Sequence, residues 1–122
     1  MREAVLDYIE GWYAGDAERM ERALHPDLAK RIVVEKDGRF QLQPLSALGL
    51  VQGTRSGWGT RTPQDQQQKD IEIFDIDGDM ASVKLIAREW IDYMHLGRWD
   101  DRWVIINVLW ANKPEPVKTS GP

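Results

Sequence analysis

Apolar side chains recur every three to four positions in the first part of the chain. Between residues 5 and 13 they fall at positions 5, 6, 9, 12 and 13, which places them on one side of a helix. Gly15 and Asp16 then supply a stop and a new N-cap, and a second, shorter helix is predicted up to Pro26, which cannot continue it. The sequence therefore predicts two amphipathic helices at the N-terminal end.

Strand-forming residues dominate the rest of the chain. The predicted strands are 31–36, 39–43, 70–76, 80 to about 96, and 98 or 99 to 111. Asp37-Gly38 and Asp77-Gly78 join successive strands as tight hairpins, because both dipeptides tolerate positive φ, while Asp100-Asp101 interrupts the last segment as a turn or a bulge. Residues 46–51 form a helical turn or a short third helix, and residues 52–68 are predicted mainly as loop. Helices followed by consecutive hairpins predict an α+β domain, with helices covering one face of an antiparallel sheet.

Length and composition narrow the class of protein. The chain has 122 residues, 42% of them apolar and 30% charged, which is typical of one globular domain. We expect a single domain over residues 1–112 and a flexible C-terminal tail over residues 113–122, which contain three prolines. The formal net charge of −4 repels a phosphate backbone, so nucleic acid is not an expected partner. No apolar segment approaches the roughly 20 residues of a membrane span, so we expect no membrane contact and a cytoplasmic location.

Several kinds of site are excluded by the residues present. Cysteine is absent, which removes disulfides, thiolate metal sites and cysteine nucleophiles. The two histidines, His25 and His95, stand far apart in the sequence, and we predict no metal site and no cofactor. Six tryptophans are unusual for this length, and five lie from residue 58 onward, where they fill a core or line a cavity.

The order of these elements and several local strings resemble a known superfamily. The strings are YIEGWYAGDAERMERALHPDLAKR, FDIDGDMASVKL, WIDYMHL and RWVIINVLW. Together they resemble the NTF2-like superfamily, most closely its "putative lumazine-binding", SnoaL-like branch, over about residues 4–112. The resemblance implies a cone-shaped α+β fold, in which a curved antiparallel sheet wraps the N-terminal helices and encloses a pocket, often in a homodimer. It does not imply one reaction, since relatives include isomerases, dehydratases, polyketide cyclases and binding modules.

His25 and Asp27 are the first candidates for acid–base catalysis. They follow the second helix, and an imidazole and a carboxylate two positions apart can serve as acid and base. The alternative is structural: Pro26 ends a helix, Asp27 caps the next turn and His25 satisfies backbone groups.

Asp92, Tyr93 and His95, next to Trp90, are the second group of catalytic candidates. An aspartate held against aromatic rings is desolvated, which raises its pKa and suits it to abstract a proton next to a carbonyl, while the Tyr93 hydroxyl donates to the developing oxyanion. If positions 81–87 set the inner face and the strand runs regularly, Tyr93 and His95 point inward and Asp92 outward. A bulge between Ala87 and Trp90 would reverse this assignment. The alternative for the group is aromatic packing with an aspartate at the surface.

The candidate ligand-binding residues are spread over three predicted elements. They are Tyr8, Trp12, Arg31, Trp90, Tyr93, His95 and Asn107. Tyr8 and Trp12 share one side of the first helix, and Asn107 is the lone polar residue in an apolar strand, where a buried amide needs partners. Arg31 can bind an anionic group, although a surface ion pair is its more frequent role.

Three functions are compatible with these observations. The favoured one is a homodimeric domain whose pocket binds a small, partly apolar or aromatic molecule. The first alternative is a cofactor-independent isomerase, dehydratase or cyclase that uses acid–base catalysis. The second is a protein-interaction domain that acts through the face of its sheet.

Overall fold

Three helices and six strands make up the part of the chain that the computed structural model describes, residues 1–114. The helices are α1 (Arg2–Ala14), α2 (Ala17–Ala23) and α3 (Ala47–Arg55), and a 3-10 turn spans Gln64–Gln66. The strands are β1 (Leu24–Lys36), β2 (Arg39–Leu45), β3 (Lys69–Asp77), β4 (Met80–Ala87), β5 (Trp90–Trp99) and β6 (Arg102–Asn112). Among residues 1–114, none of the helices combines the length and the apolar character that crossing a membrane demands.

The strands form one curved sheet in the order β2-β1-β6-β5-β4-β3. Within residues 1–114 all neighbours are antiparallel except β1 and β6, which run parallel. The register shifts between Leu24 and Ala29 in β1, between Ile73 and Asp75 in β3, and next to His95 between β5 and β6. Such bulges bend strands and increase their twist, so the sheet curves around the helices. The predicted α+β fold, with helices packed in a curved sheet, is confirmed, and the parallel pair is an addition to it.

The hydrophobic core lies between the helices and the concave face of the sheet. α1 contributes Val5, Tyr8 and Ile9, which are at most 1% exposed, and the sheet contributes alternate residues such as Leu85 and Met94. This alternation continues across β4 to β6 and defines an inner face toward the helices and an outer face away from them. The inner face therefore determines which side chains can share an interior site with α1.

Two predicted boundaries are wrong. The chain enters β1 directly at Leu24 and does not turn after the second helix. Pro26 therefore lies within β1, at the point where the register with β6 shifts, so its missing N–H leaves no hydrogen bond of the sheet unmade. The helix predicted over 46–51 continues to Arg55, with the Ser46 side chain accepting from the Gly49 N–H at 3.0 Å. Part of the predicted loop 52–68 is therefore helical.

The predicted strand from 80 to about 96 is also wrong, because it is two strands. The chain reverses at residues 88–89, and β4 pairs with β5 so that Ile86 lies opposite Ile91 and Leu85 opposite Asp92. Of the predicted tail, residues 115–122 lie outside the described part of the chain. Lys113 is described, and its Nζ donates to the Gln68 side chain at 2.8 Å. The division into a domain over 1–112 and a tail stays a prediction.

Candidate functional site

Asp92 lies inside the molecule, on the inner face of β5. The hairpin at residues 88–89 places it opposite Leu85 of β4 and Trp110 of β6, and its side chain has no solvent exposure. The assignment for a regular strand, with Asp92 outward, is therefore wrong, and the reversed assignment holds. A two-residue turn rather than a bulge produces the reversal. An ionisable group at this depth requires partners that compensate its lost hydration.

Lys30 of β1 supplies the nearest positive charge. It follows Leu28 and precedes Ile32 in the inward-facing register of β1, and its side chain is 7% exposed. The ammonium nitrogen donates a hydrogen bond to the hydroxyl of Tyr8 on α1. It lies 4.0 Å from Asp92 Oδ1, beyond hydrogen-bonding distance. Tyr8, Lys30 and Asp92 thus form one buried polar cluster, which we call the interior cluster.

One oxygen of Asp92 lacks a partner. The indole Nε1 of Trp90 donates to Oδ2 at 2.9 Å. Oδ1 is buried and has no hydrogen-bond partner among the described residues. Buried acceptors in folded proteins are nearly always satisfied, and an exception calls for an explanation. Oδ1 is the point of the interior cluster at which an incoming hydrogen-bond donor would be accepted.

Burial dominates the titration of all three groups. It raises the pKa of Asp92, and Lys30, the hydrogen bond from Trp90 and the nearby Tyr8 hydroxyl only partly oppose that change. It lowers the pKa of Lys30 against the opposing effect of the Asp92 charge. It also raises the pKa of Tyr8 well above its ordinary value, with a further contribution from Asp92. The carboxyl and amine therefore approach one another in proton affinity, which suits them to exchange a proton with each other or with a bound molecule.

Aromatic rings surround the interior cluster. The Lys30 nitrogen lies 5.3 Å from the ring centre of Trp110, within range of a cation–π interaction, whereas it meets Tyr8 at the hydroxyl edge of the ring and not over its face. Trp12 contacts Trp90 edge to face at 6.2 Å. These rings give the cluster flat apolar walls.

Trp12 and Trp58 extend this wall to the surface. Their rings are 6.4 Å apart, and Trp58 is 56% exposed. Both rings rest on glycines: a Cβ at Gly53 would lie 2.3 Å from the Trp58 ring, and a Cβ at Gly59 would lie 2.3 Å from the Trp12 carbonyl oxygen. The missing side chains of Gly53 in α3 and Gly59 after it thus permit Trp58 and Trp12 to pack together.

The interior cluster contains two of the residues predicted from sequence, Tyr8 and Asp92, and two more, Trp90 and Trp12, adjoin it. Sequence reasoning missed Lys30 and Trp110. The signal for Lys30 was the alternation of Leu28 and Ile32 around it, which marks an inward-facing position. The strand predicted from sequence begins at residue 31, so that prediction does not include Lys30.

Four other predicted residues lie on the outer face of the sheet. Arg31 and Tyr93 both flank Leu109, and His95 lies opposite Asn107. All four are exposed, so Asn107 is not the buried amide that the sequence suggested. The bulge beside His95 and the hairpin at residues 88–89 determine this placement.

His25 and Asp27 stand apart from the interior cluster, at the start of β1. The His25 Nδ1 accepts a hydrogen bond from the Asp27 backbone N–H at 3.0 Å, and its ring packs against Trp99 at 4.6 Å. Asp27 is exposed. This geometry matches the structural alternative, in which His25 satisfies a backbone group.

Surface grooves lie elsewhere on the described residues. One of about 570 Å³ runs along the outer face and is lined by His95, Asn107 and Asp79, among others. Another of about 270 Å³ lies between α2, α3 and β1. Neither is lined by the interior cluster, and no three His, Asp or Glu side chains within residues 1–114 come together as metal ligands. The interior cluster is therefore closed in this structure.

Comparisons with known proteins agree with this architecture. The family described as "putative lumazine-binding" matches residues 1–111. No functionally curated protein matches the chain. The family match thus covers nearly all of the described residues, and the family's description assigns no reaction.

Solved structures with the same fold are distant in sequence. An NTF2-like protein of unknown function from Shewanella baltica OS155 is 19% identical with a TM-score of 0.73, over 93% of this chain and 90% of that chain. One from Methylobacillus flagellatus KT is 19% identical with a TM-score of 0.68, over 93% and 89%. An NTF2-like protein with a cystatin-like fold from Novosphingobium aromaticivorans is 14% identical with a TM-score of 0.65, over 95% and 81%. At these identities the likeness concerns the fold alone. Together with the match to the "putative lumazine-binding" family, it confirms the resemblance to NTF2-like proteins.

Proposed function

Because the chain belongs to the NTF2-like family described as "putative lumazine-binding", we propose that it binds a small, partly apolar or aromatic molecule at the interior cluster. The observation that carries the proposal is the Asp92 Oδ1 oxygen, buried without a hydrogen-bond partner among the described residues. A ligand N–H or O–H group would satisfy it, and the gain would offset the cost of leaving that acceptor unpaired.

The surroundings define the ligand further. Trp90, two residues before Asp92 on β5, and Trp110, opposite Asp92 on β6, provide apolar ring surfaces next to it, and Tyr8 and Lys30 provide the remaining polar contacts. A planar molecule with one hydrogen-bond donor on its edge matches this combination. Since the interior cluster is closed, entry requires movement of side chains. The aromatic wall reaches the surface at Trp58, which is exposed and lies beside Trp12.

Tryptophan fluorescence tests the proposal. A panel of planar aromatic compounds with ring N–H groups is titrated into the protein, and saturable quenching is expected. Trp90→Phe keeps an aromatic ring but removes the indole N–H that holds Asp92, so the apparent affinity should fall. Trp99→Phe is the matched control, because Trp99 packs against His25 at the far end of β5. Quenching that is absent across the panel, or equally weakened by both variants, would contradict the proposal.

Acid–base catalysis is the second candidate function, and the pairing of Asp92 with Lys30 favours it. A carboxyl group with a raised pKa is a suitable base for a proton next to a carbonyl, and the Tyr8 hydroxyl can donate to the oxyanion that forms. Exchange of solvent deuterium into the α-carbons of small ketones measures this activity. Asp92→Asn should abolish the exchange, and unchanged exchange would exclude Asp92 as the base.

We further propose that the outer face pairs two copies of the chain. Large apolar side chains on this face are more than half exposed: Val33, Leu42, Phe74, Tyr93 and Leu109. A patch of this kind on a sheet face is typical of an interface. Sedimentation at micromolar concentration should show a dimer, and Leu109→Lys should yield a monomer. A monomeric wild-type chain would favour the alternative in which this face binds another protein.

A further inference from the structure

Lys30 has the surroundings of a reactive amine. Its nitrogen contacts the phenol oxygen of Tyr8, lies 5.3 Å from the ring centre of Trp110 and lies 4.0 Å from the nearest carboxylate oxygen. An ammonium ion so placed has lost most of its hydration and has no direct hydrogen bond to a carboxylate. Burial accordingly lowers the pKa of Lys30. Desolvation of a lysine in an apolar site is a recognised way to activate it as a nucleophile.

We infer that Lys30 forms a reversible imine with an aldehyde or ketone that occupies the interior cluster. This inference rests on the proposed function only in requiring that a small molecule reach the cluster. It names the ligand class as carbonyl compounds and gives Lys30 a role that binding alone does not require.

The groups beside Lys30 supply the proton transfers that imine formation needs. The side-chain movement that admits the carbonyl compound first brings the ammonium within hydrogen-bonding distance of Asp92 Oδ1, from 4.0 Å in the closed structure, and the ammonium then gives this oxygen a proton, leaving a neutral amine and a carboxylic acid. The nitrogen lone pair attacks the carbonyl carbon while Asp92 protonates the carbonyl oxygen, and the nitrogen then returns a proton to Asp92. Asp92 next protonates the hydroxyl of this carbinolamine, the C–O bond breaks and water leaves. The nitrogen finally gives a proton back to Asp92, so that amine and carbonyl have become imine and water without oxidation or reduction.

Tyr8 and Trp110 position the amine for this attack. The Tyr8 hydroxyl holds the nitrogen by a hydrogen bond, and the Trp110 ring centre lies 5.3 Å from the same nitrogen. Asp92 Oδ1, without another partner among the described residues, is the oxygen that faces the nitrogen. Proton donor, proton acceptor and nucleophile therefore lie in one desolvated site.

Reductive trapping tests the inference on the unmodified protein. The folded chain is incubated with benzaldehyde and sodium cyanoborohydride at neutral pH, digested and mapped by mass spectrometry. A trapped imine adds the mass of one aldehyde less one oxygen atom. We expect Lys30 to be labelled about tenfold faster than the exposed Lys36, because a desolvated amine reacts where a hydrated ammonium does not. Lys30→Arg should remove the fast label, and Lys36→Arg should leave it unchanged.

The outcomes separate this inference from the proposed function. Labelling of Lys30 no faster than Lys36, or labelling only in unfolded protein, would overturn the imine. If tryptophan quenching by aromatic compounds without a carbonyl persists in that case, the binding function stands alone. If quenching is also absent, both proposals fail. Slower Lys30 labelling in Asp92→Asn, with a wild-type circular dichroism spectrum showing that the variant is folded, would support the proton-transfer role given to Asp92, and unchanged labelling would overturn that role.

Discussion

Replacing one member of the Lys30–Asp92 pair leaves the charge of the other buried without its partner. Lys30→Met leaves a buried carboxylate without its cation, and Asp92→Leu leaves a buried ammonium without its anion. Removing one partner of a buried ion pair costs about 3–5 kcal/mol, whereas replacing both by apolar residues is neutral or stabilises by about 1–4 kcal/mol. Folded domains have a free energy of unfolding of only about 5–15 kcal/mol. Each single variant should therefore be severely destabilised, and the double variant should recover.

The two single variants should respond to pH with opposite signs. In Lys30→Met, Asp92 loses the neighbour that lowers its pKa, so its folded pKa rises further above the ordinary 3.8. The folded state then holds a proton that the unfolded state releases, and stability falls as pH rises from about 4 toward the folded pKa. In Asp92→Leu, Lys30 loses the neighbour that raises its pKa, so its folded pKa falls further below 10.5. The unfolded state then binds the extra proton, and stability rises with pH up to about 10.5.

Urea unfolding from pH 4 to pH 10 measures both effects. When the folded and unfolded states differ by one bound proton, the free energy of unfolding changes by at most about 1.4 kcal/mol per pH unit. The double variant is the reference, since all other titrating groups are common to the set, and Lys36→Met controls for losing a lysine at an exposed position. The prediction is contradicted if the free energy of unfolding of each single variant follows the same pH dependence as that of the double variant and stays within about 1 kcal/mol of the wild-type value.

Three further substitutions test the packing and hydrogen bonds of the segments around the interior cluster. Gly59→Ala should lower stability by about 1–3 kcal/mol, because the new methyl group would lie 2.3 Å from the Trp12 carbonyl oxygen; thermal unfolding checks this, and an unchanged Tm would contradict it. Tyr13→Phe removes a hydroxyl that bonds two backbone groups at 2.8 and 3.0 Å, so urea unfolding should show a loss of about 1–3 kcal/mol. Ser46→Ala removes the N-cap of α3 and should cost about 1 kcal/mol, whereas Ser46→Asp, which retains a capping oxygen, should cost little in the same assay.

Local signals predicted the parts of the fold that local chemistry determines. Asp37 and Gly38 both adopt positive φ, at 53° and 76°, in the predicted hairpin turn between β1 and β2. Gly15 ends α1 in the left-handed conformation, and Asp16 caps α2 by accepting from the Arg19 N–H. In each case the residue type and the required backbone conformation coincide within a few positions, so no tertiary information is needed.

The turn between β4 and β5 has no such local signal. Residues 88–89 contain neither glycine nor asparagine, and the apolar residues continue on both sides of them. The reversal depends on the pairing of Ile86 with Ile91 and of Leu85 with Asp92, which is a tertiary choice. Since side chains alternate between faces, that choice alone decides whether Asp92 or Tyr93 reaches the interior. The sequence could name the candidates but could not choose between them.

The interior cluster depends on a contact between strands that are even farther apart in the sequence than β4 and β5. Lys30 comes beside Asp92 because β1 lies parallel to β6, and β6 in turn pairs with β5. A chain of hairpins does not predict that parallel contact, which joins residues far apart in sequence. Burying a lysine and an aspartate with one oxygen unpaired is also unfavourable for folding compared with an apolar pair of similar volume. Stability therefore gives no reason for the pair, whereas a ligand donor for Oδ1 or a carbonyl group for Lys30 would account for both side chains.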